Sequence, residues 1–503
     1  MKNTLRVIVF LGIISLLLFF SKGYWEGWLI GALSIMFTLS AIFIAIIIFL
    51  ENRHPTQTLT WLVVLGSFPL LGFFFYLIFG RNYRKKRLFQ KKALLDEQTF
   101  SQFEGSFENN EEKIDQVGEN QQHLFRLAHR IGKSPVSFAT DTKVLTNGEM
   151  TFSTIFEELR KAKHHIHLEY YIVRHDGIGQ ELKNILIERV KNGVKVRFLY
   201  DAVGGWKLSK KYIRELREAG VEMIPFSPVK LPFLNNKINF RNHRKIVIVD
   251  GSIGFVGGLN VGDEYIGKNK YFGFWRDTHL MLKGEAVRTL QLIFFQDWYH
   301  MTGEKHLNQY YLSPELIEEN QLGGVQLIAG GPDNEWEVIK NLFFSMIISA
   351  KKSIWIASPY FIPDEDILSA LKIAALSGID VRILVPYHPD KKIVFYASRS
   401  YFPVLLEAGA KIYEYKKGFM HSKIMIIDGE LASIGTSNMD MRSFHLNFEI
   451  NAFLYRTEST ITLVQDFIQD IEDSTQIDKE TFNTRSLKQR LFESTSRLLS
   501  PLL

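Results

Sequence analysis

The chain of 503 residues contains no cysteine, which excludes disulfide staples, thiolate metal ligands and a cysteine nucleophile. It also lacks a basic surplus where a nucleic-acid groove would need one. The net charge is +6, yet residues 93–503 hold 49 Lys and Arg against 52 Asp and Glu, so the electrostatic footprint of a protein that tracks a phosphate backbone is missing there. Nor is the chain poor in apolar residues: 46% are hydrophobic and 23% charged, which excludes a disordered or fibrous class. The length exceeds one ordinary domain and suits two cores plus a membrane region.

What is present is unevenly spread. Residues 29–50 and 59–79 are uncharged runs of 22 and 21 residues, and a helix of about 20 apolar residues crosses the hydrocarbon core. Both are expected to span, with Pro69 and Gly72 tolerated inside the second. A shorter run, 7–20, follows Lys2 and Arg6 without a small-x-small cleavage site and reads as an uncleaved third membrane segment. The N-terminal region is therefore expected to hold transmembrane helices over about 7–21, 29–50 and 59–79. Arg81, Arg84, Lys85, Lys86, Arg87, Lys91 and Lys92 then fall within twelve residues that contain no acid. This bias puts the large C-terminal part on the cytoplasmic side and sets the cluster against anionic head groups. Residues 94–122 are polar and read as a linker or an exposed helix, completing a juxtamembrane segment over 81–122.

The folded region repeats itself. An amphipathic stretch (152–163), a strand-like stretch (166–171), a helical stretch (180–191) and a strand (194–200) are matched by 338–351, 354–360, 366–376 and 380–385. The phrase Leu-Arg-Glu-Ala-Gly ending at Gly220 is echoed by Leu-Leu-Glu-Ala-Gly ending at Gly409. Alternating strands and amphipathic helices predict α/β architecture in two homologous halves, 123–315 and 316–503.

Each half ends in the pattern H-x-K-x4-D-G: His243, Lys245, Asp250 and Gly251 in the first, His421, Lys423, Asp428 and Gly429 in the second. In an extended chain, residues two apart share a face, so each His and Lys point together at the start of a buried apolar strand. Each Asp has the opposite parity and belongs to an Asp-Gly turn, which on geometry alone makes it structural. A small-residue loop follows each motif, with Gly257, Gly258 and Asn260 in one half and Gly435, Thr436 and Asn438 in the other. Glycine permits close approach of backbone to a ligand, and Thr436, Asn260 and Asn438 supply neutral donors suited to phosphate oxygens.

With these motifs the chain resembles the phospholipase D superfamily, and within it the bacterial cardiolipin synthases. The likeness extends to Asn52, Arg53, His54 and Pro55 between the apolar runs, to Phe274, Trp275, Arg276 and Asp277, and to the run from Ser437 to Ser443 leading to Asn447, Phe448 and Glu449. Gly258 departs from the pattern, since many members carry Ser or Thr there. The resemblance implies two halves packed with pseudo-two-fold symmetry around one site, with the motif residues His243, Lys245, Asp250, His421, Lys423 and Asp428 catalytic. It implies that His243 attacks phosphorus to form a phosphohistidine while His421 serves as acid and base, and that Asp277 and Glu449 each orient the histidine of their own half. It further implies phosphatidylglycerol as substrate, cardiolipin and glycerol as products, a bacterial cell membrane location, and no cofactor, metal or nucleic acid. A hydrolytic phospholipase D of the same fold is the alternative. The apolar segment 228–234 is expected to meet the lipid interface or the acyl-chain entrance.

Overall fold

The computed structural model describes residues 26–50, 55–67, 72, 76, 83–103, 111–115, 117–228, 239–314 and 323–503. The chain divides into two compact units, one reaching Leu88 and one beginning at Phe89. In the first, helix Glu26–Leu50 has 25 residues, and helix Pro55–Ser67 opens on a proline, which suits a helix start because its missing N–H has no intrahelical partner there. Ile44, Ile48, Leu65 and Tyr76 form their common core, with Trp61 against it. Leu39, Phe43 and Phe49 remain exposed. Taken over the described residues alone, no helix is long and apolar enough to cross a membrane. Several side chains of the first helix, and most of 68–79, fall outside them. So do the expectations for 7–20, for residues 52–54, for the side chains of Arg81 to Arg87 and for 229–234.

Two expectations about the juxtamembrane region need correction. Helix Tyr83–Phe103 runs through the start of the stretch read as a linker or exposed helix, but it is not exposed throughout: it buries Phe89, Phe100 and Phe103, an apolar face that the surrounding polar residues concealed. Lys92, read as part of a head-group cluster, is itself buried, at 2% exposure. After a single helical turn over Glu111–Ile114, helix Glu119–Gly132 sends Leu124, Phe125 and Ala128 into the core of the second half. Strand Val136–Ser137 pairs with Gly324–Gly330. The chain thus lays down an edge of the second sheet before it begins the first, which a linear division into halves does not anticipate.

The first sheet has seven strands in the order Thr140–Thr146, Thr278–Gly284, Ile253–Gly257, Ile246–Val249, His165–Tyr170, Lys195–Asp201 and Glu222–Phe226. The second repeats that order with Gly324–Gly330, Glu449–Tyr455, Leu431–Gly435, Ile424–Ile427, Ser353–Ala357, Asp380–Pro386 and Lys411–Tyr415, plus one short strand at each edge. Ile246–Val249 and Ile424–Ile427 are apolar throughout because they are central and buried. Parallel pairing toward the last three strands of each sheet requires crossover helices. Gly177–Lys191 and Glu365–Leu376 fill that role, with Asp176 and Asp364 capping their first turns.

Asp250 and Asp428 have φ of 52° and 56°, and the glycines after them 70° and 74°, the left-handed backbone that an Asp-Gly turn adopts. Each Asp carboxylate accepts three backbone N–H groups from the start of a neighbouring strand: Lys163, His164 and His165 in one half, Lys351, Lys352 and Ser353 in the other. Both carboxylates are thus engaged in anchoring turns, the structural role that the Asp-Gly geometry predicts.

Candidate active site

The halves meet through two short backbone crossings. Phe274–Arg276 lies parallel to Gly418–Met420, and Asn242 bridges Phe448. The His421 N–H donates to the Arg276 carbonyl at 2.7 Å and the His243 N–H to the Phe448 carbonyl at 2.9 Å. Each motif histidine is thereby delivered beside the carboxylate of the opposite half.

The pairing is therefore crossed, contrary to the expectation that each carboxylate serves its own half. His243 Nδ1 donates to Glu449 Oε2 at 2.9 Å, and His421 Nδ1 donates to Asp277 Oδ2 at 2.6 Å. Spacing along the chain cannot distinguish own from opposite; the crossings decide it. With Nδ1 bound, Nε2 is the nitrogen left for substrate. Aromatic walls complete the setting, Tyr171 against His243 and Trp275 against His421, each with ring centroids 5.0 Å apart.

Lys245 and Lys423 donate to the carbonyls of His243 and His421, at 2.6 and 2.5 Å. Lys423 also lies against the His421 ring, 3.0 Å from Nδ1 and 3.2 Å from Nε2, whereas Nε2 of His243 has no hydrogen-bond partner among the described residues. The two motifs share one charged centre: Lys245 lies in the field of Glu449, Lys423 and Asp277, and His421 in that of Lys245. Burial pulls both imidazoles down to about 4, more than their carboxylate partners raise them. Burial likewise pulls Lys245 down to about 7 and Lys423 to about 8. Against the upward push of burial, the facing cations hold Asp277 and Glu449 below the ordinary carboxylate range.

Thr436 is not aimed at a substrate. Its hydroxyl donates to Glu449 Oε2 at 2.6 Å and accepts the Ile450 N–H at 2.9 Å, holding the carboxylate that holds His243. Gly258 occupies the matching place, where a Cβ would lie 2.0 Å from Asp277 Oδ1. The missing hydroxyl thus reflects the shorter Asp277 carboxylate, which takes that space. Asn260 accepts the Ile172 N–H at 3.0 Å and donates to the Tyr265 hydroxyl at 3.3 Å. Asn438 is buried, with an unpartnered Oδ1.

Several supporting residues escaped the sequence reading. Arg244, between His243 and Lys245, is paired with buried Asp297 and donates to the Glu449 carbonyl at 3.1 Å. Arg276 binds Asp470 at 2.7 Å and the Asp277 carbonyl at 2.7 Å. The signal was present in the repeated phrases Phe294-Phe-Gln-Asp297 and Phe467-Ile-Gln-Asp470. His279 is buried beside Gly257, with both ring nitrogens unpartnered; Asn451 pairs with Gly435 as His279 does with Gly257.

Comparison with known proteins agrees with this geometry. Residues 155–298 and 343–471 match the family described as cardiolipin synthase, PLD-like domain, and residues 38–81 match a phospholipase D-nuclease N-terminal family. A cardiolipin synthase of Geobacillus sp. (strain WCH70) is 72% identical over 503 residues, covering 100% of both chains. One from Alkalihalophilus pseudofirmus is 66% identical over the same full lengths. The crystal structure of a phosphatidylserine synthase of Haemophilus influenzae superposes with a TM-score of 0.58 at 14% identity, covering 77% of this chain and 100% of that one, a likeness of fold. With doubled motifs, matching sheet orders and full-length relatives in agreement, the chain belongs to the cardiolipin synthases of the phospholipase D-like family.

Proposed function

We propose that the chain converts two phosphatidylglycerol molecules to cardiolipin and glycerol at a single centre formed by both halves. The observation that carries this reading is the crossed pair of His–carboxylate dyads, His243 with Glu449 and His421 with Asp277. In the first step, Nε2 of His243 attacks phosphorus and the bond to the head-group glycerol oxygen breaks, its electrons leaving with that oxygen. His421 protonates the departing oxygen, and a phosphohistidine carries the phosphatidyl group. In the second step, His421 removes the hydroxyl proton of another phosphatidylglycerol, whose oxygen displaces the His243 nitrogen. One phosphodiester replaces another, so the exchange needs no nucleotide.

The Lys423 ammonium against both nitrogens of the His421 ring, with Nε2 of His243 unengaged among the described residues, supports His243 as the nucleophile. An arriving phosphodiester adds the negative charge that favours imidazolium on His421. Lys245 and Lys423 then face the phosphoryl oxygens, with Asn260 and Asn438 at the rim of that contact.

The apolar helix Glu26–Leu50, with Leu39 and Phe43 exposed at 61% and 65%, supports a lipid-facing N-terminal region. The acid-free basic cluster after residue 79 supports a cytoplasmic catalytic part. Purified enzyme given phosphatidylglycerol in detergent micelles is expected to release glycerol and form cardiolipin in equal amounts. Phosphatidic acid without cardiolipin would assign hydrolysis instead.

A further inference from the structure

Helix Tyr83–Phe103 follows the apolar N-terminal region in the chain, yet its Lys92 lies inside the catalytic unit. The ammonium sits 2.5 Å from Asp96, 2.8 Å from Asp333 and 3.1 Å from Asp297. Asp297 is the partner of Arg244, the residue between the histidine and lysine of the first motif. Glu169, which receives Asn242, joins the same cluster: burial and the Asp297 charge push its carboxyl well above the ordinary range. Both cations also face one ring, Lys92 at 5.4 Å and Arg244 at 5.5 Å from the centre of Phe448. Phe89, one helical turn before Lys92, meets Phe448 and Phe240 edge-on, each at 5.3 Å.

These contacts converge on one crossing. Phe448 accepts the His243 N–H and precedes Glu449, and Phe240 lies three residues before His243. The crossing that joins His421 to Asp277 takes its support from within the second half, where Asp466 and Asp470 bind Arg276. We infer that Lys92 is a positioning residue for the proposed transfer reaction: by neutralising Asp297 and Asp333 and bracing Phe448, it fixes the His243–Glu449 dyad, making the juxtamembrane helix part of the active centre. The inference rests on the proposed function for its kinetic consequence and on geometry alone for its structural one.

The test uses the full chain in phosphatidylglycerol–detergent micelles and compares wild type with Lys92→Met and Lys92→Arg. Lys183→Met serves as control, since it removes a similar ion pair to Glu215 in the first half outside the site. Two readouts are taken: kcat and KM per folded molecule, and amide hydrogen exchange of segments 240–246 and 446–452 against 418–424. Lys92→Met is expected to lower kcat roughly 10- to 100-fold with KM within about threefold. It is also expected to raise exchange about tenfold or more in the first two segments and leave 418–424 unchanged. Lys92→Arg should restore most of the rate, and Lys183→Met should leave both readouts near wild type. Should Lys92→Met fail to fold, Lys92→Met/Asp333→Asn, which removes one charge of each sign, carries the same comparison. Unchanged exchange at 240–246 together with a kcat within about twofold of wild type would overturn the inference. Loosened exchange in an enzyme whose wild type makes no cardiolipin would leave Lys92 as a positioning residue and remove the proposed reaction.

Discussion

At one crossing between the halves, His243 meets Glu449 and the arginine stands on the motif strand, as Arg244. At the other, His421 meets Asp277 and the arginine stands on the carboxylate strand, as Arg276. Each arginine reaches the equivalent aspartate of its helix, Asp297 or Asp470. The longer Glu449 is held by Thr436, whereas the shorter Asp277 lies over Gly258. Symmetry is kept where chemistry needs it, in imidazole, ammonium and carboxylate, and is broken in the parts that hold them. A duplicated fold can thus give two identical groups different work without changing either one.

The strongest challenge to the comparison is removal of either imidazole. In a shared centre, His243→Ala and His421→Ala should each cost about 10⁴-fold or more in kcat, because groups acting as a unit fail together; two independent sites would each leave about half the activity. The carboxylates come next. Glu449→Gln and Asp277→Asn should lower kcat about 10²- to 10³-fold by leaving an imidazole mis-oriented. Because the pairing is crossed, Glu449→Gln should suppress labelling of the phosphoenzyme, and Asp277→Asn should slow its turnover. Rapid-quench kinetics separates the two, and the reverse pattern would place each carboxylate with its own half.

The pH profile sharpens the contrast further. His243 must be neutral and His421 protonated, and burial draws both imidazoles down to about 4, so kcat/KM should fall as pH drops through about 4 and, through His421, decline as pH rises above it. Lys245 and Lys423, drawn to about 7 and 8, lose their charge above those values, so kcat/KM should fall again as pH rises through 7 to 8. Lys245→Arg, charged throughout, should move that alkaline limb upward; a limb unmoved by Lys245→Arg would assign it elsewhere. The smallest effects concern the loops: Gly258→Thr should cost about 2 kcal/mol or more through the Asp277 clash, and Thr436→Ala about 1.5–3 kcal/mol through its charged partner. Thr436→Ser, which keeps the hydroxyl, should stay within about 1 kcal/mol. Thermal unfolding of the three variants checks that order.

The repeat, the α/β architecture and the paired faces of His and Lys could be read directly, because period-2 alternation and Asp-Gly turns encode local geometry. The crossing of the carboxylates could not, since Asp277 and Glu449 stand at similar places in similar repeats and nothing local says which copy each one faces. Lys92 was hidden for a different reason. Within an acid-free basic run, a lysine that turns inward has the same neighbours in sequence as one that stays in water; of its three partners only Asp96 is local, and Asp297 and Asp333 are more than 200 residues away. Thr436 was misread because a hydroxyl beside a glycine suits a phosphate or a carboxylate equally well.

Chemical trapping of the intermediate tests the shared centre most directly. Enzyme incubated briefly with phosphatidylglycerol labelled at phosphorus, then quenched and digested, should carry the label on the peptide containing His243. In His421→Ala, which lacks the acid of the first step and the base of the second, that label should form more slowly and then persist, and it should vanish in Glu449→Gln. Cardiolipin formed at full rate with no label on either histidine, or label on His421 alone, would contradict the account.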